Sequence, residues 1–273
     1  MKATKHNRRH HDESSPSRSS DRSSDRVHGV LPVMEALRAG KRSIEQITIA
    51  EGVRHEGLAE LLELARSAHV PIRRVPRSEL ERTMGGATHQ GVVAKIAAAH
   101  YADADNLLES LSDQVGTNDP PLIVGLDGLE DPRNFGAVLR TAECAGVHGI
   151  FTTERRAVGL TETVAKAAAG ALEYVSVARV TNLSRLIDQL KERNIWVVGT
   201  TADASRSYTE WDWKLPTAVF LGNEGSGLHR LVRERCDELV RIPVFGRLDS
   251  LNVSVAAGIV LYEALRQRSE TKQ

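Results

Sequence analysis

The segment Leu122-Ile123-Val124-Gly125-Leu126-Asp127-Gly128-Leu129-Glu130-Asp131-Pro132-Arg133-Asn134-Phe135-Gly136-Ala137-Val138-Leu139-Arg140-Thr141-Ala142 changes its periodicity once. Leu122 to Leu126 is a continuous apolar run, as expected of a strand covered on both faces. After a polar turn, apolar residues recur at Phe135, Val138, Leu139 and Ala142. That i, i+3, i+4, i+7 stripe is a helix with one buried face. The spacing predicts a helix from Asn134, whose side chain can accept a hydrogen bond from an orphan backbone N–H and so act as N-cap. Strand, turn and helix in this order form the unit of a parallel α/β layer.

The same alternation continues to the C-terminus. Strand-like runs fall at 149–152, 195–199, 218–221 and 239–244, with helical stretches near 162–169, 183–193 and 228–235 and a closing helix over 252–268. Residues 121–270 therefore read as a mostly parallel sheet with helices on both faces, and ligands of such sheets sit at the carboxyl ends of the strands. Toward the N-terminus, 100–120 is a connector with one short helix around Leu107, Leu108 and Leu111. Residues 27–99 alternate on a smaller scale, with helices at 30–37, 58–65 and from Ser78, and strands at 44–49, 70–75 and 91–97. Residues 1–26 hold two apolar residues, Met1 and Ala3, against seven Ser and seven Lys or Arg. Such a stretch buries too little surface to offset its ordering entropy, so a disordered tail is expected. It reads either as a basic arm on RNA or as a plain solvated tail.

Composition narrows the function classes. Thirty-six basic residues balance thirty-six acidic ones, so bulk charge does not drive nucleic-acid binding, and only a local basic face could. No apolar run approaches the roughly 18 residues of a membrane span. Two cysteines, Cys144 and Cys236, exclude a disulfide scaffold and fit a reducing compartment. The ten histidines show no ligand spacing, so no metal is expected.

Three segments at strand-to-helix junctions could carry chemistry. In the first, Gly136 lies one helical turn below Arg140, which leaves room beside the guanidinium for a phosphate or sugar. It also reads as an ordinary helix with a solvated arginine. The second is Leu221-Gly222-Asn223-Glu224-Gly225-Ser226-Gly227-Leu228, whose glycines let backbone approach a ligand. Its glycine order is the reverse of the dinucleotide fingerprint, and it lacks the Lys-Ser/Thr of a P-loop. It fits a nucleotide-like ligand without either standard cradle, or a turn with no ligand. The third runs from Ile242-Pro243-Val244 through a polar loop to Ser250-Leu251-Asn252-Val253-Ser254, where Ser250 or Asn252 caps the last helix.

Taken jointly, Asn134 with Gly136 and Arg140, Leu221 to Leu228, and Ile242 to Ala256 resemble, in order and separation, the three motifs of the SpoU (TrmH) group of SPOUT methyltransferases. The resemblance covers 121–268. His28-Gly29-Val30, Val33 and Ala36-Leu37, followed by His89-Gln90-Gly91-Val92-Val93-Ala94, are similar to the auxiliary RNA-binding domain of one subgroup, the bacterial large-subunit (23S) rRNA guanosine 2′-O-methyltransferases. The resemblance implies S-adenosylmethionine as methyl donor and a ribose 2′-hydroxyl of large-subunit rRNA as acceptor. It also implies a C-terminal deep trefoil knot, a rare exception to unknotted chains, and a homodimer in the cytoplasm. By motif position it implies catalytic roles for Arg140, Glu224 and Asn252, with Asn134 and Ser254 supporting them at the RNA. The cofactor is expected against Gly222, Ile242 and Leu251, with Leu221, Asn252, Val253 and Thr200 nearby. His89 and Gln90 are expected either to reach RNA or to pack a turn, and Arg73, Arg74, Arg77 and Arg82 offer a phosphate face. The rival expectations are a tRNA guanosine 2′-O-methyltransferase of the same superfamily and a catalytically silent RNA-binding scaffold. A nicotinamide-dependent dehydrogenase is a third, disfavoured by the reversed glycine order.

Overall fold

The computed structural model describes residues 24–84 and 89–270. The N-terminal domain contains β1 (Ser24–His28), α1 (Val30–Ala39), β2 (Ile44–Ala50), α2 (Leu58–Ser67), β3 (Ile72–Val75), α3 (Arg77–Met84) and β4 (Val92–Ala97). Its mixed four-stranded sheet has the order β1-β4-β2-β3, with β2 and β3 parallel and the other pairs antiparallel. β1 begins inside the stretch 1–26 that composition assigns to a disordered tail. The reason is long-range: a polar segment gains backbone partners by pairing along β4, Val27 opposite Ala94, and Val27 is buried in the domain core. The rest of that expectation lies outside the described residues.

After α4 (Ala104–Ser112), the larger domain lays down β5 (Leu122–Asp127), α5 (Pro132–Cys144), β6 (Gly149–Thr153), α6 (Glu162–Ala168), β7 (Val177–Val180) and α7 (Leu183–Lys191). It continues through β8 (Trp196–Thr200), β9 (Arg206–Ser207), β10 (Thr217–Gly222), α8 (Arg230–Arg235), β11 (Glu238–Arg241) and α9 (Val253–Ser269). The seven strands are all parallel, in the order β7-β6-β5-β10-β8-β11-β9. β5 is buried along its whole length, as its apolar run predicts. One face of the sheet packs on α5, α6 and α9, and the other on α4, α7 and α8. Two strands escape the sequence reading: β7 is only four residues and β9 only two. α5 starts two residues early. Asp131 is its N-cap, accepting from the backbone N–H of Arg133 (2.7 Å) and Asn134 (2.9 Å), and Pro132 occupies the first turn. Asn134 is therefore not a cap, and its side-chain amide is available elsewhere. α9 is capped by Asn252, one of the two caps the sequence offers, and not by Ser250.

The end of α9 is fastened by Arg268. Its guanidinium donates to the carbonyls of Trp213 (2.8 Å), Pro120 (2.6 Å), Leu215 (3.2 Å) and Pro121 (3.3 Å), and burial holds its pKa below the usual arginine value. The two domains are joined by charges. Arg42 meets Glu173 of the short 3-10 turn Ala171–Glu173 in a pair whose side chains are 10% and 3% exposed. The Tyr174 hydroxyl donates to Glu35 (2.6 Å), and His28 meets Glu162. Glu173→Ala leaves Arg42 buried without its counter-charge, which costs about 3–5 kcal/mol. We expect an early unfolding midpoint in denaturant for Glu173→Ala and substantial recovery in the double variant Arg42→Met/Glu173→Leu. None of the described helices is long and apolar enough to cross a membrane.

Candidate active site

The carboxyl ends of β8 and β10 and the chain after β11 open around a cavity of about 410 Å³. Its apolar wall is Leu221, Ile242, Val244, Leu251, Val253 and Ala256. Its polar side carries Glu224, Asp203 and Asp249, with Thr200, Thr201 and Ser250. Of the seven residues expected at the cofactor, Gly222, Ile242, Leu251, Leu221, Val253 and Thr200 line this space, and Asn252 does not. The Thr200 hydroxyl donates across to the Phe220 carbonyl (3.1 Å), which ties two strand ends that frame the cavity. The cavity suits a ligand with a flat apolar part and a positive charge, since three carboxylates face it against one arginine, Arg233. That arginine is paired with Asp203 at 2.8 Å. Hydrogen bonds from Thr201 and then Arg233 hold the Asp203 pKa below its ordinary value and keep it anionic.

Gly222 makes the floor of the cavity a close backbone crossing. A Cβ there would stand 2.0 Å from the Gly227 carbonyl carbon and 2.2 Å from the Leu228 nitrogen. The loop from Asn223 to Gly227 closes on itself, with Asn223 N–H donating to Gly227 O (3.2 Å) and Gly227 N–H to Asn223 O (3.1 Å). Asn223 Oδ1 also accepts from the Gly225 and Ser226 backbone N–H groups (3.0 and 2.7 Å). This Asx turn fixes Glu224 at the tip. Sequence reading passed over Asn223, although an Asn before Gly-Ser-Gly is a turn signal.

Residues from all three motifs meet in one hydrogen-bonded chain. Ser254 donates to Asn252 Oδ1 from its hydroxyl (2.6 Å) and its backbone N–H (2.9 Å). Asn252 Nδ2 donates to Asn134 Oδ1 (3.1 Å), and Asn134 Nδ2 donates to Glu224. Every donor in the chain points toward the Glu224 carboxylate. A carboxylate has about four acceptor positions, so Glu224 keeps several for a ligand. This arrangement can hold and orient a hydroxyl or N–H donor at the rim of the cavity.

Other expected residues lie elsewhere. Arg140 is exposed on α5, does not line the cavity, and makes no hydrogen bond or ion pair among the described residues. The room predicted below it is filled. A Cβ on Gly136 would come within 2.4 Å of Ala167 Cβ and 2.8 Å of the Val164 carbonyl, so Gly136 serves the close packing of α5 on α6. His89 is buried, and its Nδ1 accepts from the Gly91 N–H (2.9 Å). Burial, then the charge of Arg77, lowers its pKa and favours the neutral ring. Gln90 is exposed and accepts from the Val30 N–H (3.4 Å) at the start of α1. His89 thus packs its turn in this structure, while Gln90 presents an exposed side chain beside it. In the predicted phosphate face, Arg73 pairs with Glu79 (2.9 Å) and Arg77 with Glu81 (3.0 Å).

Comparison with known proteins places this geometry. The family model described as SpoU rRNA Methylase matches residues 121–262, and the one described as RNA 2′-O ribose methyltransferase substrate binding matches residues 26–102. YacO of Bacillus subtilis (strain 168), a candidate TrmH family tRNA/rRNA methyltransferase, is 44% identical over 245 residues, covering 90% of this chain and 96% of its own. The SpoU methyltransferase AviRb of Streptomyces viridochromogenes, solved in complex with AdoMet, superposes with a TM-score of 0.73 at 26% identity. That match covers 90% of this chain and 91% of AviRb. The AdoMet-bound rRNA methyltransferase of Sinorhizobium meliloti gives 0.71 at 26% identity, covering 89% and 87%.

Proposed function

The chain belongs to the SpoU rRNA methylase family, an RNA 2′-O-ribose methyltransferase that uses S-adenosylmethionine, and from that premise we propose that it methylates a guanosine ribose in large-subunit rRNA in the cytoplasm. The observation that carries the reading is the chain Ser254–Asn252–Asn134–Glu224, which joins all three motifs at the rim of a cavity with an apolar wall and facing carboxylates. When bound, S-adenosylmethionine supplies a methyl group on a sulfonium centre. The apolar wall of Leu221, Ile242, Leu251 and Val253 suits its adenine ring, and the carboxylates suit its positive charges. Gly222 lets the Gly227–Leu228 backbone cross beneath the cavity floor.

In this reading Glu224 accepts from the substrate, and Asn134, held by Asn252 and Ser254, fixes the carboxylate's rotamer. Arg140 orients the 2′-hydroxyl and the adjacent phosphate. A guanidinium does not give up its proton at neutral pH, so orientation rather than proton abstraction is its role. The N-terminal domain selects the RNA. A homodimer completes the assembly: Phe245, Leu248, Val255 and Tyr262 put large apolar surface into solvent along the 242–252 loop and α9, and a second copy would cover it. The trefoil knot that the family resemblance implies would thread at this same loop, which returns from β11 past the cavity to α9.

The experiment is methyl transfer from labelled S-adenosylmethionine to unmodified large-subunit rRNA and unmodified tRNA in parallel. Label in the rRNA alone is the expected result. Label in tRNA alone keeps the chemistry and overturns the substrate.

A further inference from the structure

We propose that His229, held by the buried Asp127 carboxylate, and Arg156 together bind a backbone phosphate of the substrate RNA beside the active site; this rests on the RNA methyltransferase reading above. Asp127 ends β5, in register with Gly222 of β10, and its side chain is 4% exposed. One of its oxygens accepts from the His229 backbone N–H (2.7 Å), and the other lies 2.8 Å from His229 Nδ1. A carboxylate only accepts, so Nδ1 carries a proton and the ring orientation is fixed. Nε2 is then the ring's remaining polar atom, and the side chain is 45% exposed. Nε2 donates only in the imidazolium form, so binding a phosphate there takes up a proton, with the Asp127 carboxylate as counter-charge on the other side of the ring.

Arg156 approaches from the loop after β6. The position of a Cβ on Gly128 is 3.3 Å from His229 Cε1, 3.6 Å from the Arg156 carbonyl and 3.8 Å from Asn223 Nδ2. Val158 N–H donates to the Leu129 carbonyl (3.0 Å), which docks this loop on the β5–α5 turn. Arg156 has φ +54°, a conformation that residues with a side chain seldom adopt. Among the described residues it forms no ion pair, whereas the nearby Arg230, Arg233 and Arg235 each meet a carboxylate. An exposed imidazole and the loop that carries an unneutralised arginine thus stand beside the hairpin that carries Glu224. Neither lines the cofactor cavity, so their ligand is the substrate. The RNA group that suits two such donors is a phosphodiester.

His229→Asn tests this directly. The asparagine amide can still donate to Asp127 from near the Nδ1 position but leaves nothing at Nε2. Arg156→Gln removes the second donor. In the full chain, each variant is expected to raise the KM for rRNA about tenfold, in line with a charge-assisted hydrogen bond. kcat, S-adenosylmethionine affinity and thermal stability should stay unchanged. Equilibrium binding of an unmodified large-subunit rRNA transcript between about 50 and 200 mM salt should lose about one unit of log–log slope per variant. His229→Gln, whose amide nitrogen reaches near the Nε2 position, should recover part of the affinity. An unchanged KM and salt slope would overturn the proposal. So would a fall in kcat at constant KM, which would make His229 a proton acceptor instead. A failure of the methyltransferase reading would look different: the unaltered protein would bind RNA and transfer no methyl group, and the binding arm would still decide the phosphate contact.

Discussion

Arg140→Ala is expected to lower methyl transfer to RNA by about 10²- to 10³-fold, the usual loss when a positioned donor is taken from a reacting centre, while S-adenosylmethionine binds as before. The two halves of that outcome have separate physical causes. Arg140 does not line the cavity, and its side chain makes no hydrogen bond or ion pair to a residue that does, so its loss leaves the cofactor's walls intact. It is also an exposed cation without a counter-charge among the described residues, so it is free for an incoming anion. Replacing it with lysine should restore only a fraction of the rate, because a point charge cannot reproduce a planar fork that holds a hydroxyl and a phosphate together. Isothermal titration with the cofactor and single-turnover transfer measure the two halves independently. Near-normal turnover by Arg140→Ala would sink the assignment.

The second large effect is at Gly222. Alanine there forces a Cβ against backbone at 2.0 Å, and backbone cannot rotate away as a side-chain tip can. The Asn223–Gly227 hairpin must move, and with it the floor of the cavity and the placement of Glu224. We expect cofactor affinity to fall at least about a hundredfold and stability to fall by about 1–3 kcal/mol, the usual penalty for overpacking. Gly225→Ala is the matched control. Its Cβ would meet only Asn223 Oδ1, at 3.8 Å, so the same loop with the same added methyl should bind the cofactor nearly normally. Equal losses in both variants would mean that the loop tolerates no substitution at all and would remove the close-crossing argument.

What could be read from the sequence follows the range of the interactions involved. β5 announces itself because five consecutive apolar residues need cover on both faces, and α5 because its stripe is strictly periodic. The residues of the Asn134–Glu224–Asn252 chain were legible as motifs at strand ends, although no single segment says that they touch. The misses are long-range. β1 is polar and owes its place to pairing with β4, some seventy residues away. The Arg42–Glu173 pair spans 131 positions, and no local pattern marks its members. Spacing along one helix offers Gly136 as space for a ligand, because it cannot reveal a second helix lying against it. His89 carried a motif but was turned inward by its own turn, where its Nδ1 is spent on the Gly91 N–H. Asp131 took the cap from Asn134, and that exchange is what frees Asn134 to orient Glu224.

The most direct test of the account is the identity of the nucleoside that receives the methyl group. Unmodified large-subunit rRNA is incubated with the protein and methyl-labelled S-adenosylmethionine, digested to nucleosides, and separated. The expected label is in 2′-O-methylguanosine, present with the unaltered protein and lost with Arg140→Ala. Label on a base, or no label from a protein that binds both cofactor and RNA, would contradict it.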